Sequence, residues 1–458
     1  KNGSLIYTAI MTLMHQDFVL NCLGLGYLIF CACAIYEICR ELKLSTNSAL
    51  ITSGLFAMCP FISDKAFSAD VDIMALAFLL GGVLFLLKIM KRTEFDHKTK
   101  QDLYMSAICL GLSVGVKTAY APFGGIPAAL LLFFTLKRRW FKESILAFGG
   151  MFIGGGFWYI WNLAMYGSPL FPAEVAFGSV PLFKGAYGSE ALRAGEFHVS
   201  GLPELFKQFN RDYSSLTNLI IVAGIAGLTW FCIFRKERKP TAIILALMAF
   251  AWLLVYYYVI PHNQQMRFLF PALALSFVGT AVIIDRLKFR NAIIVFGIAA
   301  FLYSGSNTAR ILHAVRGLPL IPVIWNIFLL LSILWLGLQH RKHRRYSAGA
   351  LLLLALLFFS AMRDAKSLRT LSLVKGDYGP WAKVYASFNS PRQSRPLRVA
   401  YTGLNIPYVL TGTNLKNEVF YCNVDGDQKD GFYEFWNKDP RRYPYHKPGI
   451  YRKTPNLG

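Results

Sequence analysis

The sequence predicts an α-helical polytopic membrane protein of about 12 transmembrane helices, with a small C-terminal α/β domain outside the membrane. Three observations carry this. The 458 residues are 55% hydrophobic and only 16% charged, and the mean hydropathy of +0.41 is too high for a soluble domain of ordinary composition. Apolar runs long enough to cross a hydrocarbon core of roughly 30 Å follow one another along the chain. The basic residues gather in every second connection between those runs.

Residues 1–16 come first. The stretch SLIYTAIMTLMHQ places Leu5, Ile6, Ile10, Leu13 and Met14 mostly on one helical side, which suits a helix lying in the membrane interface or one buried under an external loop. The predicted spans follow at 18–39, 47–63, 71–90, 102–117, 121–136, 144–165, 215–234, 241–260, 267–284, 291–305, 318–338 and 347–361, so that residues 17–362 form the membrane domain. Connections rich in Lys and Arg, such as Lys88, Lys91 and Arg92 or Lys137, Arg138 and Arg139, are expected on the cytoplasmic side. The alternation then places outside the 64–72 turn, residues 117–122, the long 167–214 loop, the 261–267 turn, the 310–317 connection and everything after Met362. It also places residues 1–16 outside, as part of a first external loop whose beginning, with a preceding helix, is expected upstream of Lys1.

The glycines around 149–156 are expected to let helix backbones approach closely. Residues 363–458 differ in character: LRVAYTG and NEVFYCNV carry the bias of strands between Gly, Asn and Pro turn signals, which reads as an extracytoplasmic α/β domain. Cys422 stands alone there, so no disulfide within the tail is expected, and no CxxC metal pair occurs. The formal net charge of +23 does not point to nucleic acid, because much of it is scattered over short interhelical loops.

Carboxylates beside a bilayer are costly unless they face water, a cation or a partner, so Asp70 and Asp72 in FSADVDIMAL are candidate functional residues. They also begin a predicted span, where an aspartate caps free amides and suits the helix dipole. Both readings stay open. Lys117 and Arg267 at other helix ends have a similar plain reading as snorkelling cations.

Four stretches resemble the GT-C superfamily of membrane glycosyltransferases, which includes protein O-mannosyltransferases and aminoarabinose lipid A transferases. SADVDIMALAFLL is similar to its second external loop, with Asp72 in the place of the aspartate; LGLSVGVKTAYAPF is similar to the segment ending in an outer lysine, here Lys117. WYIWNLAMYGSPLFP resembles the N…G-N-P-L-Y-P run, giving Asn162, Gly167, Pro169 and Pro172, and MRFLFPALAL resembles R-Y-L-x-P, giving Arg267 and Pro271. Trp161 and Ser168 depart from the pattern, standing where relatives carry Arg and Asn.

The resemblance implies an inverting transferase of a hexosyl or pentosyl group from a polyprenyl-phosphate sugar to an extracytoplasmic acceptor, in the plasma (inner) membrane of a bacterial-type cell envelope. It implies that the principal catalytic aspartate belongs to the first external loop, expected upstream of Lys1. Chemistry then assigns roles. The leaving phosphate gains negative charge that fixed cations must stabilise, which makes Lys117, Arg267 and His262 the candidates for the donor phosphate. Asp72, with Asp70, is the candidate for catalysis or for holding a divalent cation such as Mg or Mn. Lys184, Arg193 and Glu196 lie among glycines in the 167–214 loop, either as a flap over a headgroup site or as a solvated connection. Two other functions remain in view: a lipid-linked oligosaccharide polymerase or ligase, which would rely on arginines in that loop, and a transporter, whose charges belong near the midplane of broken helices.

Overall fold

The computed structural model describes residues 2–14, 18–59, 62, 65–66, 70–171, 175–177, 180–183, 201, 203–204, 215–234, 239–260, 265–286, 395–401, 410 and 416–421. The chain forms two compact units, one of Lys1–Leu13, Asp17–Ser189 and Phe197–Ser304, the other of Met14–Gln16, Glu190–Glu196 and Gly305–Gly458.

The larger unit is helical. Its helices are α1 (Asn2–Met14), α2 (Phe18–Glu41), α3 (Thr46–Met58), α4 (Asp72–Lys91), α5 (His97–Val116), α6 (Ala121–Lys137), α7 (Phe141–Gly155), α8 (Phe157–Tyr166), α9 (Ser215–Phe234), α10 (Lys239–Leu254) and α11 (Phe270–Ile284). A π-helical turn, Val255–Val259, prolongs α10, and a 3₁₀ turn, Met266–Leu269, leads into α11. Five helices among the described residues are long and apolar enough to cross a membrane, and the bent α7–α8 pair makes a sixth. The predicted spans at 291–305, 318–338 and 347–361 lie outside the described residues.

The span expected over 144–165 is two helices, broken by 63° at Gly156. The reason is local. Gly154, Gly155 and Gly156 offer no side chains to hold a straight ladder, and α7 is drawn against α5 so closely that a Cβ on Gly155 would lie 2.3 Å from the Gly111 carbonyl oxygen. Between residues 167 and 214 a short antiparallel hairpin, β1 (Val175–Phe177) with β2 (Val180–Phe183), was not anticipated.

Helix α4 is the central column. It is apolar on all sides, and such a helix belongs inside a bundle; it packs between α2 and α5 and also meets α6 and α11. Two serines fix its register against the antiparallel α5: Ser106 Oγ donates to the Gly82 carbonyl at 2.8 Å and Ser113 Oγ to the Ala75 carbonyl at 2.9 Å. Stepping back three residues from Ala75 and forward as many from Ser113 reaches Asp72 and Val116, so the register itself delivers Lys117 to Asp72.

Helix α10 is tied to α6 by repair of a defect. Pro127 has no N–H to offer the Phe123 carbonyl one turn earlier, and the fully buried Trp252 donates its indole Nε1 to that carbonyl at 2.9 Å. At the end of the bundle where α2, α4 and α6 finish, Asp285 accepts from the Ser45 amide at 2.9 Å and the Ser48 hydroxyl at 3.0 Å, and Lys91 pairs with Glu41.

Helix α1 has one packed and one exposed side. Asn2 donates to the Gly154 carbonyl at 2.8 Å and accepts from Trp158 Nε1 at 2.8 Å, while Leu5, Ile6 and Leu13 stay exposed on the other side. In the smaller unit, LRVAYTG and NEVFYCNV do hold strands, β3 (Arg398–Tyr401) and β4 (Glu418–Tyr421), paired in parallel. Most of the remaining residues of 363–458, with Cys422, lie outside the described residues.

The α5–α7 contact predicts a contrast between two glycines of one helix. Gly155→Ala should destabilise the protein by about 1–3 kcal/mol through overpacking, whereas Gly149→Ala, with nothing within 4 Å of the added carbon, should be neutral or stabilising. Thermal unfolding in detergent measures both.

Candidate functional site

The two aspartates do not cap α4. Its N-cap residue is Val71 and no side chain caps the helix. Asp72 instead points into the bundle with no exposure at all, and Lys117 Nζ donates to its Oδ1 at 2.5 Å. Lys117 occupies the C-cap of α5 in extended geometry, which turns its side chain across to α4.

Arg267 comes from the 3₁₀ turn before α11 and completes the cluster. Its Nη1 donates to Asp70 Oδ2 at 3.2 Å, and its Nε lies 3.8 Å from Asp72 Oδ2. Gln265 holds the same guanidinium, accepting at Oε1 from Nε at 3.0 Å and from Nη2 at 2.6 Å. Lys65 Nζ lies 3.4 Å from Asp70 Oδ2. The Phe268 ring lies beneath Lys117 Nζ at 4.9 Å and beneath the Arg267 guanidinium at 5.5 Å.

Two tyrosines fix the backbone between the aspartates. Tyr7 of α1 donates to the Asp70 carbonyl at 3.3 Å, and Tyr120 donates to the Asp72 carbonyl at 3.2 Å. Burial first, and the Asp70 carboxylate second, push the Tyr7 hydroxyl up to about 12, so it stays a neutral donor. Burial works to raise the Asp70 carboxyl, but its contact with Asp72 and the charges of Lys117, Arg267 and Lys65 outweigh that, holding it well below the usual carboxylate range.

Three basic side chains thus face two acidic ones. One carboxylate oxygen, Asp72 Oδ2, is buried without a hydrogen-bond partner. Among the described residues no three His, Cys, Asp or Glu side chains gather as metal ligands. The groups that neighbour Asp70 and Asp72 are the basic side chains Lys65, Lys117 and Arg267.

The other expected site residues divide. Asn162 spends its amide on its own loop, donating to the Pro169 carbonyl at 3.3 Å and the Phe171 carbonyl at 3.2 Å across a reversal at Gly167, where φ is +69°. Its visible role is to shape the start of the 167–214 loop. Ser168, the departure noted in that run, is buried with no hydrogen-bond partner for its Oγ. His262, Lys184, Arg193 and Glu196 lie outside the described residues. Sequence reasoning missed Lys65, Tyr7, Tyr120, Gln265 and Phe268. Only spacing could have pointed to the last three, which lie within three residues of Lys117 or Arg267.

A model of the dolichyl-phosphate-mannose-protein mannosyltransferase family matches residues 4–161, a stretch that includes Asp70, Asp72 and Lys117. Two crystal structures of ArnT from Cupriavidus metallidurans have the same arrangement of chain. The apo form superposes with a TM-score of 0.51 at 14% identity, covering 87% of this chain and 71% of that one. The form bound to undecaprenyl phosphate gives 0.53 at 14% identity, covering 91% and 73%. The chain shares the fold of these two ArnT structures. No curated protein matches it in sequence. Of the four stretches quoted above, three residues, Asp72, Lys117 and Arg267, meet at one place.

The pairing predicts an asymmetry. Lys117→Met strands a fully buried carboxylate and should cost about 3–5 kcal/mol, more than Asp72→Asn, which leaves a lysine still able to reach water. The double variant Asp72→Asn with Lys117→Met should be more stable than Lys117→Met alone, a coupling that a thermal-unfolding cycle reads directly.

Proposed function

We propose that this GT-C protein is a glycosyltransferase that moves a sugar from a polyprenyl-phosphate-linked donor to a hydroxyl of an extracytoplasmic lipid, glycan or protein, in the inner membrane. The observation that carries the reading is the excess of basic over acidic side chains in a half-buried cluster at one end of the central helix. Support comes from the ArnT structure bound to undecaprenyl phosphate, a ligand with the same phosphate and isoprenoid chemistry.

Each group has a task in that chemistry. Breaking the anomeric bond leaves a phosphate that gains negative charge, and a fixed, poorly hydrated cation stabilises it more than water does. Arg267 is such a cation: Gln265 and Asp70 hold its fork in place before any ligand arrives. Lys117 is the second, paired with and directed by Asp72. Asp70 is a poor base, since its carboxyl is held far below the usual range; its part is to position Arg267. The sugar, the acceptor and the residue that takes the acceptor proton lie beyond this cluster.

The charges collect at helix ends and not in the middle of broken helices, which disfavours transport. The basic turns after α4 and α6 support a cytoplasmic placement of that end and an outer placement of the Asp72 end.

Activity tests the first part. With a lipid-linked sugar donor in liposomes, Arg267→Ala should lower kcat/KM by about 10²-fold or more, and Arg267→Lys should fall between it and the parent because charge survives but the fork does not. Equal activity of all three proteins would end the phosphate assignment. Topology tests the second part: a reporter fused after Arg139 should be cytoplasmic and one fused after Gly167 external.

A further inference from the structure

The opposite end of the bundle carries a feature that sugar transfer does not use. Among the described residues only Lys43 and Arg139 have positive φ without being glycine, at 58° and 61°. Each follows a helix end of the same design. At the end of α6 the Arg139 amide donates to the Leu136 carbonyl at 2.9 Å and the Trp140 amide to the Thr135 carbonyl at 2.9 Å; at the end of α2 the Lys43 and Leu44 amides do the same to Arg40 and Cys39, at 2.9 and 3.2 Å. That double bond is the Schellman closure, and its left-handed position is the one glycine ordinarily fills. A basic, exposed side chain stands there twice, against its backbone preference.

The turn after α6 has the further parts of a site. Arg138 is committed to structure: its Nη1 donates to the Ile89 carbonyl at 2.7 Å and its Nη2 to the Met90 carbonyl at 2.9 Å, and its guanidinium lies 5.0 Å from the Trp140 ring centre. Trp140 in turn packs on Phe95 at 4.7 Å. With the turn so braced, Lys137, Arg139 and Lys142 stand exposed around it, and Glu143 is the one carboxylate of the stretch from 137 to 143. Directly beside them, on the same two helices, Phe133, Leu136, Phe141 and Ile145 are exposed. Cations beside an apolar strip, with an indole at the boundary, match one kind of molecule.

We propose that the turn from Lys137 to Lys142 binds the headgroup of an anionic phospholipid, with Arg139 as the central contact and the exposed edge of α6 and α7 receiving the acyl chains. Arg139 is exposed at the left-handed position, where a glycine would relieve strain but offer no charge. This binding does not rest on the sugar-transfer reading. It lies at the end of the bundle away from Asp72 and Lys117.

The test uses thermal unfolding of the full-length protein in neutral detergent, titrated with phosphatidylglycerol or phosphatidylcholine. Phosphatidylglycerol should raise the parent's melting temperature by about 3 °C more than phosphatidylcholine does. Arg139→Gly should melt about 1–2 °C higher than the parent without lipid, yet gain less from phosphatidylglycerol. The triple variant Lys137→Gln, Arg139→Gln and Lys142→Gln should lose most of that gain, and Arg267→Ala should keep it. The proposal is overturned if the two lipids act alike, if the triple variant keeps the full gain, if Arg267→Ala loses it, if inorganic phosphate reproduces it, or if Arg139→Gly keeps it whole.

Discussion

A carboxylate with no exposure to water has to be answered by a cation, and in this protein the answer of Lys117 to Asp72 organises one whole end of the helix bundle. Both residues sit at helix ends: Asp72 opens the central helix and Lys117 closes its antiparallel neighbour. Their meeting is prepared far from the charges, by Ser106 and Ser113 donating to carbonyls of α4 and setting the register in which the two ends coincide. Arg267 joins from a third element and brings the cluster to an excess of basic over acidic side chains.

The surrounding bundle supplies rigidity through polar repairs and small residues. Trp252 satisfies the carbonyl that Pro127 leaves open, fastening α10 to α6 without a kink being left unpaired. The glycine contact of α5 with α7 draws two backbones together, which keeps α5, and therefore Lys117, from shifting. Tyr7 and Tyr120 pin the backbone on both sides of Val71. For the proposed sugar transfer, a phosphate at such a cluster would meet basic groups already oriented, so little reorganisation would be needed as its charge grows.

The two ends of the bundle use charge differently. At the Asp72 end, basic and acidic side chains gather around one buried carboxyl, that of Asp72; at the other, Lys137, Arg139 and Lys142 stand outward beside apolar side chains. One arrangement suits a reaction on a headgroup drawn into the protein, the other a lipid held at its surface.

Much of this was legible from residues alone. Apolar runs and their alternating basic connections specify helices and their order, because burying a backbone in lipid leaves few choices other than helix; α2, α4, α6 and α9 fall within about two residues of the expected bounds. Charges at helix ends flagged Asp70, Asp72, Lys117 and Arg267, because ionised groups persist in apolar sequence only where something answers them. Tertiary structure decided what answers them. Local rules allowed Asp70 and Asp72 to be caps, and packing made them counter-ions, since Lys117 lies 45 positions beyond Asp72 and Arg267 lies 197 beyond Asp70. The break in the expected 144–165 span likewise came from the meeting of Gly155 with Gly111, which no local period encodes. Sequence specifies which segments leave water and which charges resist doing so; only the three-dimensional register decides which charges meet, because an ion pair depends on distance in space and is blind to distance along the chain.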